Sequence, residues 1–558
     1  MNELKKQAAF SDRSRLFRNI ERTYKTGKKN YTRIFRDEPF VLKITFPEGV
    51  FPSRVVLNTN INQPNGKWGA IKFSREDACT FSLKLKINRS GIYCFRVKFI
   101  LTGEKSWIWD PVPHSWLIAD PPSMKNLKVY TLIPGITGNI ENWVKELRRI
   151  KKMCFNTIHL LPVTKMDDSK SPYSAKDLFN IEPEFGISGD SRTIEEQWNF
   201  FVEELIRLNL KLSVDLVLNH VGINSKLANQ HPEWFYPDPE ESDGLKRAGW
   251  WKGQEWVAWE DLALIYYGHP HPGIRSKIWG TMTRYALMWA KFANKTGGMV
   301  RLDNFHSSDR GFINYVLGKL HEKFPELIVF AELFEDPDTV SEYTRVHGLN
   351  LLLATPWEEK FAPNLRNYIK FLHKKPDQLK YIIPITSHDS GSPTEEFGTP
   401  EATIPRYIIS ALYGMGATGI VQGVEHGFSR KLDFRGVPKK IKIKTDENYS
   451  DFIIQVNSFL DKHSIFWKSG NLEFIDKDHD AILGILRYSD SLKENDFIIF
   501  SNLDTNSSQK ITLDCDLGRV SLFKKKLRNA LSGKEIIVDD REFCFDLEPC
   551  GFRIWEVI

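Results

Sequence analysis

Cysteine is scarce in this chain and does not pair in motif. Six cysteines in 558 residues (79, 94, 154, 515, 544 and 550) contain no CxxC, which excludes zinc ribbons, thiol-redox motifs and a disulfide scaffold. They read as reduced, mostly buried thiols. Long apolar runs are also missing: none approaches the roughly 20 residues a membrane helix needs, so a membrane protein is excluded. The N-terminal stretch MNELKKQAAFSDRSRLFRNI is charged throughout and lacks the apolar core of a secretory signal. These absences predict a cytoplasmic protein. Charge of one sign is lacking too. The net charge of +6 is dispersed and gives no nucleic-acid footprint. The run KKIKIK (439–444) reads as a solvated edge. No GxGxxG or Walker turn follows the first apolar strand, and no His/Cys/Asp cluster has metal-ligand spacing. Neither a metal nor another cofactor is expected.

Aromatics, by contrast, are plentiful: 13% of residues, including 16 Trp. Such a surplus fills a large core or lines a site for weakly polar, flat faces such as sugar rings.

Three zones differ in rhythm. From about 38 to 120, VLKITF, RVVLNTNI, FSLKLKI and YCFRVKFIL alternate with period 2 and predict an antiparallel sandwich. The proline-marked WIWDPVPHSWLIADPPS reads as a linker. From about 126 to 465, eight apolar runs (LKVYTLIP, FNTIHLLPV, LKLSVDLVL, GGMVRLD, LIVFAEL, LNLLLAT, YIIPITS, TGIVQG) alternate with amphipathic stretches such as IEEQWNFFVEELIRLN. Eight such units predict an α/β fold, a closed (β/α)8 TIM barrel. From about 470, AILGILRY, DFIIFSNL, QKITLD, CFDLEP and FRIWEVI predict a second antiparallel β-domain. The expected division is 1–125, an N-terminal β-sandwich with a leading charged segment; 126–469, the barrel, with an insertion at 221–285 after its third strand; and 470–558.

That insertion belongs to the almost 80 residues between His220 and Met299, and a long excursion from a compact barrel is usually functional. It packs Trp234, Trp250, Trp251, Trp256 and Trp259 into 26 residues. Two purposes fit equally: a small core for the insertion, or a stacking surface for sugar. Trp107, Trp109 and Trp116 could give the N-terminal zone a glucan contact, but packing against the barrel is the expected role of this zone.

Barrel enzymes work at the C-terminal ends of their strands. There the sequence supplies Asp215, Asn219 and His220 after the third strand, and Arg301, Asp303 and His306 after the fourth. Glu332 follows the fifth, and His388 and Asp389 the seventh. Carboxylates converging on one rim suit acid–base and nucleophilic chemistry on a neutral substrate, and glycosidic cleavage fits best. Arg301, two residues from Asp303 on one strand face, is expected to hold Asp303 ionised. Glu332, with no cation on its own strand, is the natural proton donor.

In DLVLNH (215–220), GGMVRLDNFH (297–306), FAELF (330–334) and ITSHD (385–389), the chain resembles the α-amylase superfamily of retaining glycosidases and transglycosylases. The resemblance implies Asp303 as nucleophile, Glu332 as general acid/base and Asp389 as transition-state stabiliser. It further implies Arg301, His220 and His388 as contacts around the cleaved sugar, and Tyr173 of SPYSAKDLFNIEPEFG as its stacking partner. His306 is expected to bind substrate, while Asp215 and Asn219 support the site. VRLDNFHSS, SHDSGSP and AELFEDPD are most like the glucanotransferase domain of glycogen debranching enzymes. The Arg-x-Asp-Asn-x-His pattern is also similar to maltosyltransferases that use a maltose phosphate donor. The leading expectation is therefore a 4-α-glucanotransferase acting on α-glucan or maltooligosaccharide. An α-glucan hydrolase, a maltosyltransferase and a glycan-binding protein that has lost catalysis are the alternatives.

Overall fold

The period-2 segments near the N-terminus do become strands, because one face of each is apolar and has a partner sheet to bury it. The computed structural model describes residues 19–24, 31–63, 66–112, 114–252, 255–436, 447–468, 470–489 and 494–558; the KKIKIK run and the first 18 residues lie outside them. One four-stranded sheet has the order Glu21–Arg22, Phe40–Thr45, Thr80–Leu85, Ser74–Arg75. The second runs Tyr31–Phe35, Ser115–Asp120, Gly91–Leu101, Pro52–Thr59, Gly69–Lys72, with Ile108–Trp109 beside Gly91–Leu101. Phe40, Leu42 and Ile44 alternate inward to meet Val55, Leu57, Phe95, Val97 and Phe99 in one core.

The segment expected to be a linker is instead structural. Its prolines flank SWLIAD without interrupting it, so Ser115–Asp120 is free to pair on both edges. It pairs antiparallel with Gly91–Leu101 and parallel with Tyr31–Phe35, which makes this sheet mixed where an all-antiparallel one was expected. Asp120 at its end is fully buried against Arg33, at 2.6 Å. This compact unit also takes in residues 321–326 and 336–350. Within it Arg345 lies 5.1 Å over the Trp116 ring, whereas Trp107 and Trp109 stay 37% and 40% exposed.

The second unit contains the remaining residues. Eight parallel strands close a barrel in chain order: Leu127–Leu132, Thr157–Leu160, Lys211–Leu216, Met299–Leu302, Ile328–Ala331, Leu351–Leu353, Tyr381–Pro384 and Ala417–Val421. All eight apolar runs read from the sequence supply them. Capping fixes several of the intervening helices: Thr193 and Glu196 form a reciprocal capping box before Ile194–Arg207, satisfying amides that a helix start leaves open. The third and fourth strands meet closely because Gly298 has no side chain; a Cβ there would stand 2.0 Å from the Leu212 carbonyl oxygen. This contact sets a register with Asp215 opposite Arg301.

After the third strand the chain builds an antiparallel sheet from His220–Gly222, Glu255–Leu264 and Arg247–Lys252. The 24-residue helix Pro272–Lys295 then returns it to the barrel. Beyond the barrel, a six-stranded sheet and a two-stranded one enclose their own core, and every pairing in them is antiparallel. Buried polar bonds tie this part to barrel helices: Arg366 pairs with Asp476 at 3.1 Å. Tyr413 donates from its hydroxyl to the Leu483 carbonyl at 2.8 Å. All six cysteines are free thiols.

Candidate active site

A guanidinium organises the rim. Arg301, 2% exposed on the fourth strand, donates from Nη1 to Asp215 Oδ1 at 3.0 Å and to Asp303 Oδ1 at 2.9 Å. Its Nη2 lies 2.8 Å from Glu332 Oε2. Three adjacent strands thus deliver three carboxylates to one cation. Asn304, in the left-handed region at φ 46°, turns the chain sharply after Asp303, so its backbone N–H donates to Glu332 Oε2 at 2.9 Å. Asparagine tolerates that conformation better than most residues.

This geometry alters both electrostatic expectations drawn from the sequence. Glu332 has a cation after all, supplied by the neighbouring strand and invisible in its own. Arg301 is not reserved for Asp303 but divided among three acids. Burial raises the Asp303 carboxyl well above its ordinary value; Arg301 opposes this, and the charges of Glu332, Asp215 and Asp389 reinforce it. Asp215 goes the other way. Burial works against its ionisation, but Arg301 and His159 outweigh burial and hold it far below the usual carboxylate range.

The seventh strand and the segment after the second close the opposite wall. Tyr173 donates from its hydroxyl to Asp215 Oδ2 at 2.9 Å, and the same oxygen lies 2.6 Å from His388 Nε2. The Tyr173 and His388 rings are parallel within 7°, with centroids 5.7 Å apart. Burial lowers the His388 value, with Asp389 opposing. Asp389 is 3.1 Å from His388 Nε2, and its side chain is 54% exposed, unlike Asp303 at 11%.

His220 is buried with neither ring nitrogen satisfactorily hydrogen-bonded, and burial pushes its value down to about 4. A neutral imidazole with open positions is suited to meet a polar ligand. The His306 ring centroid lies 5.9 Å from that of exposed Phe334. Asn219 accepts a backbone bond from Ile265, and its side-chain amide makes no hydrogen bond. Among the described residues no group of three or more His, Cys, Asp or Glu is arranged to hold a metal ion.

Burial is uneven within the Trp-rich insertion. Trp234 is buried and stacks on His231 at 4.3 Å, a core role. Trp259, half-buried, has its ring 5.9 Å from that of His220 and so borders the rim. Trp250 is 39% exposed.

Sequence reasoning missed His159 on the second strand, which faces Asp215 at 3.5 Å. The only signal was a polar residue inside an apolar strand. It also missed Phe434, edge-on to both Tyr173 and His388, and Lys431, which donates to the Asp389 carbonyl at 2.6 Å. Both follow the eighth strand, where no motif stood out.

The same closed barrel is found in solved structures of α-amylases. An α-amylase from Lactobacillus plantarum superposes with a TM-score of 0.61 over 78% of this chain and 100% of its own, at 16% identity. A cyclomaltodextrinase matches 96% of this chain and 99% of its own, with TM-score 0.62 and 12% identity. The family model described as the glucanotransferase domain of glycogen debranching enzyme matches residues 122–248. Among curated proteins, the α-1,4-glucan:maltose-1-phosphate maltosyltransferase of Picrophilus torridus is 24% identical over 421 residues, covering 70% of this chain and 63% of that protein. The chain thus spans about three fifths of this relative's length. These matches are consistent with an enzyme of the α-amylase superfamily.

Proposed function

We propose that this chain is a retaining α-glucan transglycosylase that moves a maltosyl unit from maltose 1-phosphate onto an α-1,4-glucan. Of the readings the motifs left open, similarity to maltosyltransferases across 70% of the chain favours this one over the 4-α-glucanotransferase. The observation that carries the chemistry is the pair Asp303 and Glu332 held by one guanidinium. Close carboxyls favour a double displacement over attack by water held between widely spaced ones.

In this reading Asp303 attacks the anomeric carbon as Glu332 protonates the departing phosphate oxygen, leaving a β-linked maltosyl ester on Asp303. Glu332 then takes the proton from a glucan 4-hydroxyl, which attacks the ester and restores the α configuration. One proton therefore serves the pair, and the reaction needs it on Glu332 and off Asp303. Arg301 stabilises the ionised nucleophile, and Asp215 braces Arg301. Tyr173 stacks on the sugar, while His220 and His388 bind its hydroxyls. Asp389, beside His388, flanks the oxocarbenium-like carbon. His306, with Phe334, contacts the acceptor side. Six free thiols and the absence, among the described residues, of a helix able to cross a membrane accord with a cytoplasmic enzyme.

Incubation with α-maltose 1-phosphate and maltohexaose tests this. Phosphate release with products lengthened in steps of two glucose units is expected. Maltohexaose redistributed to longer and shorter chains without phosphate release would overturn the donor and favour the debranching-type glucanotransferase, which the match over 122–248 supports. Shorter products alone would mean hydrolysis.

A further inference from the structure

We propose that His159, held by Ser213, is a positioning residue that orients Asp215 and thereby sets how Arg301 is shared between Asp303 and Glu332. Both side chains lie inside the barrel, 4% and 0% exposed. Ser213, on the third strand, lies with its Oγ 2.9 Å from His159 Nδ1. With Ser213 donating, Nε2 carries the imidazole proton and lies 3.5 Å from Asp215 Oδ2, close enough to act on its charge but without forming a direct hydrogen bond. In the opposite tautomer a bare nitrogen lone pair would face an ionised carboxylate, which is repulsive.

Asp215 is thus held at both oxygens. Oδ1 accepts from Arg301 at 3.0 Å; Oδ2 accepts from Tyr173 at 2.9 Å and faces His159. The chain from Ser213 through His159 to Asp215 and Arg301 ends on the two carboxyls that carry the chemistry. The other titratable groups around Asp215 are His388 after the seventh strand, its ring centroid 6.3 Å from that of His159, Tyr285 on the long helix, and Asp303 itself. None of these places a ring N–H beside Oδ2 from the second strand, as His159 does. Without His159, Asp215 loses one of the groups that offset its burial and depends more heavily on Arg301. Less of the guanidinium then remains to stabilise ionised Asp303, so the pH at which the nucleophile becomes available rises.

This role rests on the transglycosylase reading, and the test separates the two. Turnover of α-maltosyl fluoride, whose leaving group needs no phosphate recognition, is followed against pH for His159→Leu, His159→Gln and Ser213→Ala. The expected result for His159→Leu is a loss of about tenfold, mainly in kcat, with the acid limb moved up by about half a pH unit. His159→Gln, which retains a donor, is expected within about threefold of the parent and with an unmoved limb. Ser213→Ala falls between. An unshifted His159→Leu profile, or a His159→Gln as damaged as His159→Leu, overturns the role. A parent enzyme inert on every α-glucosyl donor overturns the transglycosylase reading and this role with it. Should the variants fail to fold, nitrogen NMR of histidine-labelled parent protein decides: a protonated Nε2 at His159 supports the role and a bare one refutes it.

Discussion

Arg301 answers to three carboxyls at once, and Asp303 bears the consequence. Its folded value lies above its ordinary one, so the folded state binds that proton more tightly than the unfolded chain. The stability this contributes is complete below the ordinary carboxylate range and declines as pH climbs above it. Asp215, with a depressed value, contributes the opposite way: its stabilisation is present in neutral solution and is lost only as pH falls below the ordinary range. Asp303→Asn is therefore expected to reduce turnover by roughly 10³-fold or more. It should also raise Tm by about 1–2 °C near pH 8 and by less at pH 5. An unchanged or lower Tm at pH 8 would mean that the charge on Asp303 costs the fold nothing. That these acids meet was legible in sequence, because acids at the ends of successive barrel strands share one rim. Their electrostatics were not. Which cation faces Glu332 depends on the neighbouring strand, and linear spacing does not encode that.

At the level of elements, the barrel was legible because each strand is a short apolar run bounded by turns, and buried parallel strands carry that signature. The stretch before it was not: its prolines suggest a break, yet the central SWLIAD contains none and pairs as a strand. His159 escaped notice for a related reason: a lone polar residue in a buried strand signals burial of a polar group, not the partner that justifies it. The meeting of the third and fourth strands offers a direct test. Gly298→Ala would push a methyl against the Leu212 carbonyl in the pair that sets Asp215 opposite Arg301. We expect destabilisation of about 1–3 kcal/mol by chemical denaturation, together with loss of turnover. Stability lost with turnover intact would show that the register is held by other contacts.

Over the molecule as a whole, a net charge of +6 describes the surface poorly where it matters. Asp215, Asp303, Glu332 and Asp389 gather around Arg301. A neutral glucan approaches such a rim without electrostatic work, whereas a phosphorylated donor approaches it against the local field. Dissolved electrolyte therefore becomes a discriminating reagent. The range of that field shrinks from about 30 Å at 0.01 M salt to about 8 Å at 0.15 M. Over this interval KM for maltose 1-phosphate is expected to fall while KM for maltohexaose stays level. A rise in KM for the phosphorylated donor would instead reveal cations that outweigh the rim at the point where phosphate docks. On the proposed reading, the crowding of acids around one arginine would also govern access, making the ease with which a charged donor reaches the rim a property of the medium as well as of the protein.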